Sequence, residues 1–188
     1  MDSDDDIPTL PEDTLQLIAQ FRQEQKRQEE AEQTGAGEIS ENWQLSQFWY
    51  TPETARALCQ EATKALLEAR GGGNVAVISA PTLLQYFGDV EAVKEKKINL
   101  RLFEYDDRFR IKYPDEYINF DYRSPLLLPE DLRNTFDLVI ADPPFLSDEC
   151  LVKTCQSVRL LGKQDVKIIF YRTASELPTD RLPSSTRQ

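Results

Sequence analysis

Four consecutive residues, Asp142-Pro143-Pro144-Phe145, carry the side chains best suited to chemistry on an amine. They directly follow the apolar run Phe136-Asp137-Leu138-Val139-Ile140-Ala141. The two prolines fix the backbone and lack N–H groups, which leaves carbonyl oxygens free to point into a site. Asp142 and the Pro143 carbonyl would accept hydrogen bonds from an amino group. Phe145 would offer its face to a base or, by cation–π attraction, to an alkylammonium. Proline pairs also end strands for purely structural reasons, and it is the buried strand ahead of this pair that favours a site.

Other chemistries are closed to the chain. It has no histidine, so a Ser-His-Asp hydrolase, a Cys-His protease and most catalytic zinc sites cannot be built. Cys59, Cys150 and Cys155 make an odd count without ligand-like spacing, which argues against a disulfide framework or a bound metal. The expected compartment is the reducing cytoplasm. No run approaches the roughly 18 apolar residues of a membrane span, and the start, Met1-Asp2-Ser3-Asp4-Asp5-Asp6, is acidic where a signal peptide is basic. The net charge of −11 is concentrated at this end. Residues 1–41 hold 12 acidic against three basic side chains, which leaves −2 for the rest. The body has no basic stripe of the kind that grips phosphates, which argues against long nucleic acids as substrate.

The elements that would position Asp142 alternate along the chain. Thr51-Pro52 starts a helix that runs to Gly71-Gly72-Gly73. Strands are expected at 74–79, 98–104, 117–121, 136–141 and 166–171, with helices around 82–87 and 147–160 between them. This is an α/β pattern with a mostly parallel sheet, in which ligands bind at the carboxyl ends of the strands. Ser79-Ala80-Pro81 follows the first strand, Glu104 closes the second and Asp121 the third. Each carboxylate could equally be a solvated strand-end charge. Val166–Tyr171 is followed by Arg172–Gln188, which has no strand or helix period and reads as a disordered tail. An exposed edge on the fifth strand is therefore expected.

Ahead of the domain lies an acidic extension, residues 1–40, with a helical pattern from about Pro11 to Gln33. The domain itself, 41–171, opens on Glu41-Asn42-Trp43-Gln44-Leu45-Ser46-Gln47-Phe48-Trp49-Tyr50. Trp43, Phe48, Trp49 and Tyr50 read either as ordinary packing of a flap or as a lid that shields a reacting amine from water.

Asp142-Pro143-Pro144-Phe145 resembles the (Asn/Asp)-Pro-Pro-(aromatic) motif of class I methyltransferases that modify amine nitrogens. With the 41–50 run and with Phe103-Glu104-Tyr105-Asp106-Asp107-Arg108-Phe109, it resembles the elongation factor 1-alpha lysine methyltransferases, a family once grouped with N6-adenine DNA methyltransferases. The resemblance covers roughly residues 12–171. It implies a Rossmann-like class I sheet, here lacking its last two strands, and S-adenosyl-L-methionine as cofactor. It assigns Glu104 to the cofactor's ribose hydroxyls, Asp121 to its adenine amino group, and Ser79-Ala80-Pro81 to the loop that usually is glycine-rich. Asp142, Pro143, Pro144 and Phe145 become the catalytic set, with Trp43, Phe48, Trp49 and Tyr50 lining the substrate channel. The implied partner is translation elongation factor 1-alpha, methylated on lysine by a cytoplasmic monomer. Two alternatives stay open: an N6-adenine nucleic-acid methyltransferase, and an inactive fold relative that only binds a partner.

Overall fold

Thr51 and Pro52 begin the first long helix as their chemistry requires. Thr51 is extended (φ −60°, ψ 151°) and its Oγ1 accepts from the Thr54 amide at 3.3 Å, while Pro52 takes the first helical position, where no N–H is needed. The helix, α1 (Pro52–Arg70), ends at Gly71, whose φ of 73° is left-handed and whose N–H returns to the Leu67 carbonyl at 3.0 Å. Ala55, Cys59, Ala62 and Leu66, three or four residues apart, form its buried stripe.

The structure is a computed structural model and describes residues 11, 13–20, 22–23, 39, 41–42, 45, 47, 49–145 and 147–171. The chain divides into two compact units, Met1–Ser40 and Glu41–Gln188. In the first, residues 13–20 and 22–23 are helical. Apart from residues 11 and 39, the remainder of the acidic extension, and the tail expected over 172–188, lie outside the described residues.

The second unit alternates strand and helix: β1 (Gly73–Ile78), α2 (Thr82–Phe87), α3 (Glu91–Lys94), β2 (Ile98–Glu104), α4 (Arg108–Lys112) and β3 (Tyr117–Asn119). A 3₁₀ turn (Glu130–Leu132), β4 (Phe136–Ala141), α5 (Asp148–Leu161) and β5 (Gly162–Phe170) follow. The strands lie in the order β3-β2-β1-β4-β5, and every described pair is parallel, so the sheet is wholly rather than mostly parallel. The chain steps outward from β1 through β2 to β3, then returns to the other side of β1 with β4. The reversal puts a crevice at the carboxyl ends of β1 and β4, where sheets of this kind bind ligands.

Parallel strands bury both faces, and β1 is the clearest case: Val75, Ala76, Val77 and Ile78 are all buried. Alternate side chains go to opposite layers. Ala76, Ile78, Phe103, Val139 and Ala141 meet Val158 and Leu161 of α5, with Phe120 and Phe136 filling the cluster. Phe103 stands edge-on to both Phe120 (6.2 Å) and Phe136 (5.7 Å). Truncating such a ring to alanine costs about 3–5 kcal/mol. Against α2, the Cys59 thiol of α1 donates to the Leu83 carbonyl at 3.6 Å.

β1 runs one residue earlier than the expected 74–79, and two other strand limits differ more from the sequence reading. β3 stops at Asn119, short of Asp121, because Phe120 still bonds the Glu104 carbonyl (3.0 Å) while Asp121 already accepts from Ser124 N in a turn. β5 begins at Gly162, earlier than Val166. Its polar start, Lys163-Gln164-Asp165, sits beside a register shift between Phe136 and Leu138, and Lys163 serves an ion pair rather than an alternating face. β5 lies at the sheet edge, with Ile168 48% and Phe170 41% exposed.

Candidate active site

The strand registers bring the sequence's strand-end residues into one row. Ile78 pairs with Phe103 and with Ala141, and Ala141 pairs with Phe170. The next residues, Ser79, Glu104, Asp142 and Tyr171, therefore stand side by side along the carboxyl edge. Backbone bonds continue the ladder past the strands: Ser79 N to Phe103 O (2.9 Å), Asp142 N to Ile78 O (3.0 Å) and Tyr171 N to Ala141 O (3.0 Å). The site is thus carried on a rigid frame.

Asp142 is the centre of that row. Burial pushes its carboxyl up to about 6, against the opposing effect of a hydrogen bond donated by the Tyr50 hydroxyl to Oδ2. The Tyr50 hydroxyl is in turn held far above its ordinary range, first by burial and then by the Asp142 charge. Its ring stands edge-on to Tyr171 at 5.0 Å. Next to Asp142, Pro143, Phe145, Leu151, Phe170 and Tyr171 wall a cavity of about 220 Å³, with Ser147 and Asp148 at its polar side. Water occupies ~30 Å³ per molecule in the liquid, so the space suits a side chain. Ser147 caps α5 by accepting from Cys150 N at 3.2 Å, which fixes the loop after Pro144. Phe145 is 41% exposed and tilted against Tyr122 at 5.7 Å.

Glu104 is 5% exposed, and its Oε1 accepts from the Tyr105 (2.8 Å) and Asp106 (3.1 Å) amides. Its carboxyl is nevertheless pushed up to about 7, chiefly by burial and further by the Asp106 charge, which the two amides and the Gln47 amide only partly offset. Asp106 contrasts with it. Burial would raise Asp106 as well, but Arg108 grips both its oxygens (Nε 3.1 and 2.9 Å, Nη2 2.7 Å) and holds it below the usual carboxylate range. Among the described residues Glu104 has no comparable cation, and it is suited to neutral donors, such as the vicinal hydroxyls of a ribose. Across the crevice, Ser79 takes a left-handed φ of 54°, a conformation ordinarily left to glycine. The bend matches what a glycine-rich cofactor loop achieves, with Ala80 and Pro81 buried behind it.

Asp121 is differently engaged. Arg123 Nε bonds both its oxygens (2.9 and 3.0 Å) and holds the carboxyl low, so it carries its own cation. The aromatic run divides: Trp49 packs edge-on to Phe109 of α4 at 6.0 Å, while Tyr50 turns to Asp142. Trp43 and Phe48 lie outside the described residues. Three contributors were given no role by the sequence reading, although Gln47 and Arg108 stand in the runs that carry the family resemblance. Gln47 donates to Asp106 Oδ2 at 3.1 Å and accepts from Arg108 at 3.3 Å; Arg108 closes that network; Tyr171 backs Tyr50. Gln47 and Tyr171 stood inside runs read for their apolar neighbours. Among the described residues no group of three or more carboxylates and cysteines could hold a metal ion, and no helix is long and apolar enough to cross a membrane.

A buried carboxylate at the end of β2 suited to hydroxyl donors, and a half-buried one after β4 beside an apolar cavity, are parts a group-transfer enzyme needs. The comparisons agree. The family described as Probable N6-adenine methyltransferase matches residues 41–183. A protein-lysine N-methyltransferase of Caenorhabditis elegans is 48% identical over 90% of this chain and 79% of its own length. EEF1A lysine methyltransferase 1 of Homo sapiens is 44% identical over 93% and 82%. A protein-lysine N-methyltransferase of Dictyostelium discoideum is 34% identical over 90% and 75%. With its strand-end carboxylates aligned on a parallel sheet and relatives matched over most of their length, the chain belongs to this methyltransferase family.

Proposed function

We propose that this chain transfers a methyl group from S-adenosyl-L-methionine to a lysine of translation elongation factor 1-alpha. The observation that carries the reading is Asp142, a desolvated carboxylate beside a cavity with aromatic and apolar walls. The similarity to EEF1A lysine methyltransferase 1 supports the choice of substrate. The reduced cysteines suit a cytoplasmic enzyme acting on such a factor.

The chain's own task is to present a lone pair. A free lysine, with a pKa near about 10.4, is neutral in roughly one molecule in 2,500 at pH 7, a penalty of about 4.6 kcal/mol. Apolar walls at Pro143, Phe145, Leu151 and Phe170 disfavour the ammonium and lower that penalty by desolvation. Asp142 and the Pro143 carbonyl then accept from the amine's N–H groups and aim its lone pair, so that catalysis is mainly positioning. Glu104 would hold the ribose hydroxyls of the cofactor, and the Ser79-Ala80-Pro81 turn would let backbone approach it. When bound, the cofactor supplies an electrophilic methyl on a sulfonium. Asp121 would join the adenine contact by sharing its carboxylate with Arg123.

The test is incubation of the chain with S-adenosyl-L-methionine and elongation factor 1-alpha, followed by peptide mass spectrometry. Methylated lysine is the expected product. Methylated adenine in an oligonucleotide, with the protein untouched, would overturn the proposal.

A further inference from the structure

Tyr50 is the residue whose placement the proposed chemistry does not yet use. It reaches Asp142 across 92 positions of sequence, and its hydroxyl donates to Oδ2. Its side chain is 9% exposed and stands edge-on to Tyr171, the residue that follows β5. The backbone on both sides is held. Thr51 is the N-cap of α1, Trp49 N donates to Glu41 Oε1 at 2.8 Å, and Gln47 is bound to Asp106 and Arg108. A hydroxyl fixed by a helix start, a side-chain brace and a ring contact is preorganised and does not wander.

We infer that Tyr50 is a positioning residue: it clamps Oδ2 of Asp142, keeps that carboxylate ionised in its desolvated setting, and leaves Oδ1 to receive the substrate amine. The inference rests on the function proposed above and adds a residue that acts through Asp142. Among the described residues, no hydrogen bond is made to Oδ1, so one oxygen serves the brace and the other is left to accept from the amine. A hydroxyl is the right partner for this. A cation in the same place, as Arg108 provides for Asp106, would hold the carboxylate too firmly low to share it with an amine. Among the described residues, the titratable groups facing the carboxyl are Tyr50 from the segment before α1 and, behind it, Tyr171 just after β5. Asp148 lies at the polar side of the adjoining cavity. Without the donor, burial alone governs Asp142, and its proton is lost only at higher pH.

The test compares the parent with Tyr50→Phe, which keeps the ring and its contact with Tyr171. First, the Asp142 carboxyl is titrated by ¹³C NMR in aspartate-labelled chain, with Asp142→Asn used to assign the signal. No substrate is needed, so this arm stands even if the methyl acceptor were another molecule. An upward displacement by roughly one pH unit in Tyr50→Phe is expected, the size of one hydrogen bond to a charged group. Second, the ratio of Tyr50→Phe to parent transfer is followed from about pH 8 to about pH 6. The lysine's own ionisation cancels in that ratio, and the ratio should fall as the pH drops. An unmoved Asp142 titration would overturn the inference. So would a pH-independent ratio below one, which marks a purely structural role, or a ratio above one, which marks Tyr50 as a plug the substrate must displace. Loss of transfer in Asp142→Asn and in the parent alike would instead reject the proposed substrate, leaving the NMR arm to judge Tyr50.

Discussion

β4 has a carboxylate near each end, the buried Asp137 as its second residue and the half-buried Asp142 just beyond its last, and their surroundings differ in kind. Asp137, 5% exposed, receives Lys163 at 2.8 and 2.9 Å, Arg70 at 3.1 Å and the Asn74 amide at 2.9 Å. Burial would raise it, yet these donors hold it below its ordinary value. Asp142 receives one tyrosine hydroxyl and is pushed up to about 6. The two face opposite ends of the same sheet. Burial therefore does not by itself mark a functional carboxylate. What marks it is desolvation without a cationic partner among the described residues, which leaves capacity for a ligand. Glu104, up at about 7, belongs with Asp142; Asp106 and Asp121, each with its own arginine, behave as Asp137 does.

The contrast is broken most severely at Asp142. Asp142→Ala should lower methyl transfer by roughly 10²-fold or more, because the amine loses its orienting acceptor. Its folding stability, read by urea denaturation, should stay near the parent's, since an unfavourable desolvated charge is removed. The reciprocal change is Asp137→Asn, which should cost roughly 1–3 kcal/mol of stability by leaving Lys163 and Arg70 without their carboxylate. Both cations are about a third exposed, so the loss stays below that of a fully buried pair. Transfer per folded molecule should be unchanged.

pH separates the two groups by sign. Glu104 and Asp142 have folded values above their unfolded ones, so the folded chain binds extra protons as pH falls through about 7 and about 6. Stability should therefore rise on going from about pH 8 to about pH 5, with a smaller rise in Glu104→Gln. Asp137, with a depressed value, contributes stability above its unfolded pKa of ~3.9 that is lost as the pH falls further. A melting series with no rise toward pH 5, or an equal one in Glu104→Gln, would count against the contrast. The smallest effect concerns the frame. Thr51→Ala should cost about 1 kcal/mol by uncapping α1, with a matching drop in melting temperature.

Much of this was legible in the sequence, because parallel strands are continuous apolar runs and the residue after each run must lie at the carboxyl edge. β2 and β4 begin and end where the apolar pattern does, and Glu104 and Asp142 followed from that. The family resemblance, the α/β class and the methyltransferase reading agree with the comparisons. The remainder depended on tertiary partners. Asp121 and Glu104 look alike as strand-end acids, and only the chain's turn onto Arg123 distinguishes them. Tyr50 was one of four aromatics within eight residues, and no local signal pairs it with a carboxylate 92 residues away. The left-handed turn at Ser79 was invisible because serine does not advertise it as glycine would. The polar start of β5 read as a loop because its side chains serve ion pairs with β4 and α1.

The most direct test of the contrast is a calorimetric titration of S-adenosylhomocysteine into the parent, Glu104→Gln and Asp137→Asn. The account predicts saturable binding to the parent, equal binding to folded Asp137→Asn, and affinity at least about tenfold lower in Glu104→Gln, one charge-assisted hydrogen bond's worth. Binding by Glu104→Gln at the parent's affinity would contradict it, because the desolvated carboxylate at the end of β2 would then not be where the cofactor is held.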